Sequence, residues 1–183
     1  MSSVDLSRYD NKWYSPGAGR LKRMLWYAIN AALFDSWWCP SSVLKSRLLR
    51  IFGAKVGLGV VIKPRVNIKY PWLLSIGDHV WIGEGAWLDN LASLSIGNNV
   101  CVSQGAYLLT GNHDYRDPYF GLIVRPITLC DGTWVGARAI VCPGVTMHDG
   151  SIVTSGSVLQ VSAEASGIYR GNPAQRIRER VIQ

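Results

Sequence analysis

With three histidines, four cysteines and no C-x-x-C pair, this 183-residue chain has little from which to build a metal site or a disulfide framework. Cys39, Cys101, Cys130 and Cys142 lack paired spacing and a histidine neighbour, so they read as reduced, half-buried apolar side chains. Carboxylates are also scarce, 12 against 19 lysines and arginines, for a net charge of +7. Long apolar runs are missing: the stretch from Met24 to Phe34 is about half of the ~20 residues that a bilayer crossing needs. The polar opening residues lack the apolar core of a signal peptide, so a cytoplasmic location is expected, with the inner face of the cytoplasmic membrane as a variant of it.

The charge is distributed unevenly. Residues 1–55 carry nine Lys/Arg against three Asp, residues 56–169 six against eight acidic residues, and residues 170–183 four against one. Basic ends suit nucleic acid, anionic lipid or a phosphorylated ligand. No helix-turn-helix, zinc-finger spacing or RNA-stacking motif is present, and nucleic-acid binding is not expected.

The chain is rich in glycine, 19 in all, and in one period. Aliphatic residues recur every six positions: Val56, Ile62, Ile68; Ile76, Ile82, Leu88; Ile96, Val102, Leu108; then Leu129, Val135, Val141, Met147, Val153, Leu159. Four residues after each stands a small or β-branched one (Val60, Val66, Val80, Ala86 and onward), with Trp72 and Asn112 as exceptions. Residues two apart on a strand share a face, so each hexapeptide sends one large and one small side chain inward. Gly57, Gly77, Gly83, Gly97 and Gly136 follow aliphatics where a tight corner calls for positive φ or for a missing Cβ. The first repeats are 20 apart, three hexapeptides plus two corner residues, whereas Ile96 to Leu129 is 33, which leaves a 13-residue insertion. The pattern predicts an all-β solenoid of about five coils over residues 56–163, with an inserted loop at 112–126, rising about 4.8 Å per coil. A helical segment fills 1–55, and a basic tail with a short helix fills 164–183.

Several segments go beyond the period: Lys63 to Pro71, Gln104 to Asp114, Pro126 to Thr128, Trp134 to Gly136, Cys142 to Thr146 and Gly171 to Ala174. In these the chain resembles the hexapeptide-repeat acetyltransferases. It is similar to the galactoside and maltose O-acetyltransferases and more so to the colanic acid and exopolysaccharide biosynthesis O-acetyltransferases. The resemblance implies a left-handed parallel β-helix, a homotrimer, acetyl-CoA as co-substrate with no metal, and direct transfer to a saccharide hydroxyl on an acceptor that is free or lipid-linked.

Within that frame His113 is the expected catalytic residue. It lies at the start of the one long insertion, and histidine is the residue type whose ordinary titration near neutrality suits a general base that takes the proton of an attacking hydroxyl. Asp114 would orient the imidazole or bind the acceptor. The acceptor-binding Asn of the galactoside enzymes falls on Gly83, which moves that role to Asp89 and Asn90; solvated corner residues are the alternative. The resemblance places Trp134, Gly136, Ala137 and Ser155 along the pantetheine, and Arg176 and Arg178 suit the CoA phosphates unless they form a solvated helix face. A Thr-Lys pair of the relatives reads Gln160-Val161 here.

Over residues 20–52 a helical pattern puts Leu44, Leu48, Ile51 and Phe52 on one face. Trp26, Trp37 and Trp38 beside Arg20, Lys22 and Arg23 suit either a cap on the open end of the solenoid or peripheral membrane contact. Two other readings stay open: transfer to a small nucleotide or amino sugar, and a γ-carbonic-anhydrase-like metalloenzyme, for which His79, His113 and His148 are spread over too many coils.

Overall fold

The computed structural model describes residues 4–182; residues 1–3 and 183 of the two end segments lie outside it. Short parallel strands stack into three sheets that form the faces of a prism. On the first face Val56, Ile76, Ile96, Leu129 and Met147 sit in register. The second face aligns Ile62, Ile82, Val102, Val135 and Val153, and the third Ile68, Leu88, Leu108, Val141 and Leu159. These are the six-period aliphatics, and all but the half-buried Val56 are buried. The second face carries a sixth parallel strand, Gly167–Gly171, so the solenoid makes about six turns rather than five.

Glycine works at the corners by two separate means. Gly57, Gly77, Gly83, Gly97 and Gly136 do not have positive φ. They are glycines because the next turn lies too close: a Cβ on Gly77 would come within 2.7 Å of the Gly97 carbonyl oxygen. Positive φ falls elsewhere on the corners, at Gly59, Gly85 and Gly105 and also at Arg65, His79, Asn99 and Arg138.

The first turn exposes a strand edge on each face, and the N-terminal helices α1 (Arg20–Ile29) and α2 (Ser42–Ile51), joined by a π-helical turn (Asn30–Phe34), satisfy those edges with side chains. Trp26 Nε1 donates to the Ile68 carbonyl at 2.7 Å, and Asn30 Oδ1 accepts from the Ile68 N–H. Ser42 Oγ accepts from the Ile62 N–H, Lys45 Nζ donates to the Lys63 carbonyl, and Arg50 donates to the Val56 and Gly57 carbonyls. This alters the expected face of α2. Lys45, Ser46 and Leu49 are its buried residues, while Leu44 and Ile51 point outward, because edge satisfaction turns the polar-headed side of the helix inward.

The expected C-terminal helix is not formed. Gly167–Gly171 and Ala174–Glu179 make an antiparallel hairpin that closes the far end. Arg176, Arg178 and Arg180 repeat at a spacing of two, the period of a strand, and Asn172 and Pro173 make the turn, entered through Gly171 at φ +107°.

Candidate active site

The insertion is a hairpin rather than an irregular loop. Gly111–His113 pairs antiparallel with Leu122–Val124, and His113 stands opposite Leu122 at the mouth of the intervening turn. The hairpin leaves the third face where the earlier turns leave it through two extra residues, so the one oversized corner carries the imidazole.

His113 Nδ1 lies 2.8 Å from the Phe120 carbonyl oxygen. A carbonyl only accepts, so Nδ1 carries the proton in this contact and Nε2 is left with its lone pair. The carbonyl is itself held. Phe120 adopts φ +55°, Asp117 accepts the Tyr119 and Gly121 N–H groups at 2.9 Å each, and the Phe120 N–H donates to the Asp117 carbonyl at 3.0 Å. Asp114 does not meet the imidazole. Its carboxylate accepts from the Arg116 backbone and side chain, and those hydrogen bonds hold it below the usual carboxylate range.

His113 shares a cleft of about 420 Å³ with Tyr9, Asn11, Lys69, Asp89, Leu91 and Leu122, among others. The residues expected to hold the acceptor divide. Asp89 lines the cleft, paired with Lys69 Nζ at 2.8 Å and accepting from the Tyr107 hydroxyl at 3.3 Å. Burial and that carboxylate push the Tyr107 phenol up to about 12. Asn90 is fully buried and turned into the corner, where its amide bonds the Tyr70 N–H at 3.0 Å and the Tyr70 carbonyl at 2.7 Å. It ties one turn to the next and does not reach the cleft. The solvated-corner alternative fails for both residues.

The sequence pattern misses the strap that covers this cleft. Asp5 donates its N–H to the Pro118 carbonyl at 2.8 Å, Arg8 lies 4.2 Å over the Tyr119 ring, and the Tyr9 ring meets the His113 imidazole edge-on at 5.6 Å. Tyr14 donates to the Leu91 carbonyl. These residues fall outside both the hexapeptide period and the helical pattern, and no local signal would have assigned them.

A second group of expected residues meets at a different corner. Gly136 packs on the Ser155 N–H, the Gly156 N–H donates to the Ala137 carbonyl, and Trp134, half exposed, donates from Nε1 to Ser103 Oγ at 2.8 Å. The C-terminal hairpin runs past the same corner: Thr154 is bonded to Tyr169, which is in register with Arg176. Arg176 lies 3.5 Å from Glu164 and Arg178 stands opposite Ile168, both exposed. Burial raises the Cys142 and Cys130 thiols, which disfavours a thiolate at either. Among the described residues no group of three or more His, Cys, Asp or Glu could hold a metal ion.

Over 97% of its length the chain is 40% identical to an Escherichia coli K12 protein that bears the name colanic acid biosynthesis acetyltransferase WcaF, of which it covers 97%. The chain belongs to the hexapeptide-repeat acetyltransferase family. Its fold is therefore the left-handed parallel β-helix. The acetyltransferase VCA0836 of Vibrio cholerae, solved with acetyl-CoA, superposes with a TM-score of 0.77 at 22% identity, covering 87% of each chain. A galactoside acetyltransferase solved with coenzyme A gives 0.74 at 24% identity over 87% of this chain and 80% of its own. No family model matches the chain.

Proposed function

We propose that this acetyltransferase moves acetyl from acetyl-CoA to a sugar hydroxyl of an exopolysaccharide precursor of the colanic acid type, within a ternary complex and with His113 as general base. The observation that carries the reading is the 2.8 Å contact from His113 Nδ1 to the Phe120 carbonyl, in a cleft that also holds Asp89 and Lys69. The hydroxyl oxygen attacks the thioester carbonyl carbon while Nε2 takes its proton. The C–S bond then breaks, and the proton passes to the departing sulfur, leaving an acetyl ester and a thiol. No nucleophilic side chain is required, because the thioester is already activated.

Asp89 orients acceptor hydroxyls from the cleft wall, and Lys69 pairs with that carboxylate at 2.8 Å. Asp114 shapes the turn beside the imidazole. The Trp134, Gly136, Ala137 and Ser155 corner takes the pantetheine, with Arg176 and Arg178 toward the phosphates, in a homotrimer whose neighbouring subunit completes the cleft. The coenzyme complexes of the two structural neighbours support the donor, and the 40% relative supports the exopolysaccharide role. The test is thiol release from acetyl-CoA over a panel of free and lipid-linked oligosaccharides. His113→Ala is expected to lower the rate by about 10² to 10⁴. Equal turnover in wild type and variant would refute the mechanism.

A further inference from the structure

The N-terminal cap uses only one side of each helix on the solenoid. In α1 the inward side carries Trp26 and leads into Asn30. The opposite side presents Leu21, Met24, Leu25 and Ala28, spaced i, i+3, i+4 and i+7. The three larger of these are 71%, 58% and 51% exposed. α2 likewise turns Val43, Leu44 and Ile51 outward around Arg47. Between the helices Trp37 and Trp38 stand exposed, and Arg65 lies 5.4 Å over the Trp37 ring.

The charge around these faces has one sign. Between Asp10 and Asp78 the chain has eleven lysines and arginines and a single carboxylate, Asp35. Arg20 and Lys22 flank the apolar stripe of α1, with the Lys22 ammonium 5.0 Å over the Trp72 ring. No described helix is long and apolar enough to cross a membrane. An apolar stripe with cationic flanks and exposed indoles is instead the design of a helix lying in a bilayer interface, where leucines enter the acyl boundary, indoles sit at headgroup depth and cations meet anionic headgroups. A protein partner would need a dense matching array of carboxylates; an anionic lipid surface supplies a continuous array of negative headgroup phosphates by composition.

The surface also connects to the cleft. A groove of about 610 Å³ runs along the edge of α1, lined by Arg23, Met24, Tyr27, Tyr70 and Trp87 among others, and it shares Lys69 with the His113 cleft. A saccharide carried on a membrane lipid has a path from the apolar stripe past Lys69 to the imidazole.

We infer that the outward faces of α1 and α2, with Trp37 and Trp38, dock this protein on an anionic lipid bilayer. The inference stands apart from the acyl-transfer reading, since binding is read without substrate. The full chain is sedimented with phosphatidylcholine vesicles containing phosphatidylglycerol and with vesicles of phosphatidylcholine alone. The expected result is capture by the anionic vesicles, weakened by salt and by Arg20→Glu. The double variant Leu21→Ser, Leu25→Ser should lower partitioning roughly tenfold or more. Both leucines are exposed, so the variant should keep the wild-type circular dichroism and thiol release with a soluble acceptor. Wild type left in the supernatant with anionic vesicles overturns the inference, as does undiminished capture of the double variant. Light scattering adds a third overturning outcome: a wild type that self-associates through this face, loses mass on the leucine changes and does not bind vesicles.

Discussion

The carbonyl that holds His113 belongs to a turn built by one carboxylate, so Asp117→Ala should act on turnover without touching a substrate. Asp117 accepts the N–H groups on either side of Phe120 at 2.9 Å each. Hydrogen bonds to a charged acceptor contribute roughly 1.5–3 kcal/mol when protected, and less where the turn is open to water, as here. They hold Phe120 at φ +55°, a conformation that costs a bulky residue about 1–2 kcal/mol. Without the carboxylate the turn relaxes, and the 2.8 Å hydrogen bond from Nδ1 is the first to break. One hydrogen bond of net strength about 0.5–1.5 kcal/mol converts to a factor of roughly 2 to 10 in the ratio of the two imidazole tautomers, which is the upper bound on the loss of the reactive one. The rate should fall by no more than that factor, with the KM for acetyl-CoA unchanged. ¹⁵N spectra should show His113 passing from the Nδ1-protonated tautomer to a mixture, a change that a merely loosened loop would not produce. Asp117→Ala added to His113→Ala should cost nothing further, because the carboxylate acts through the imidazole. An unchanged tautomer, or a full additional loss in the double variant, would refute the reasoning.

Two further outcomes concern the scaffold. Gly77→Ala places a Cβ within 2.6 Å of Asn98 Oδ1 and 2.7 Å of the Gly97 carbonyl oxygen, so the turns must separate; the expected loss is about 1–3 kcal/mol in urea unfolding, and a neutral result would remove close approach as the reason for corner glycines. Lys45 is buried with one carbonyl partner, and burial lowers its pKa, so between that value and the unfolded value near 10.4 the unfolded chain binds more protons and stability rises with pH. Lys45→Met should abolish that rise, checked by urea melts at neutral and alkaline pH.

What can be read from the residues divides by the range of the signal. The six-period aliphatics show the prism because each turn repeats the same demand, one large and one small side chain inward, and repetition makes a weak local preference legible. The placement of His113 on the inserted hairpin is legible for the complementary reason, since it falls where the repeat is interrupted. The pattern gives half of the α2 face: Leu48 and Phe52 pack on the core, but Leu44 and Ile51 point outward, because hydrophobicity assigns no weight to Lys45, whose ammonium is needed at the Lys63 carbonyl of an open strand edge. The C-terminal helix fails on a similar ground: basic residues carry little periodic signal, and only the pairing with Gly167–Gly171 shows that their spacing is that of a strand.

Asp89 and Asn90 show why the acceptor side is harder still. They are adjacent, equally polar and on one corner, and a strand end sends neighbouring side chains in opposite directions. Asp89 faces the cleft because Lys69, twenty residues earlier and one turn below, neutralises it there. Asn90 faces inward because its amide can serve both polar groups of Tyr70, for which a carboxylate would lack the donor. Exchanging the two residues would bury a charge beside a carbonyl and leave Lys69 without its partner. The choice between wall and scaffold is therefore made by the preceding turn, which a reading along the chain does not place beside them. The strap from Asp5 to Tyr14 follows the same logic at longer range: Tyr9 reaches His113 only because the hairpin turn offers Pro118 and Tyr119 as a surface for residues that have no periodic partner.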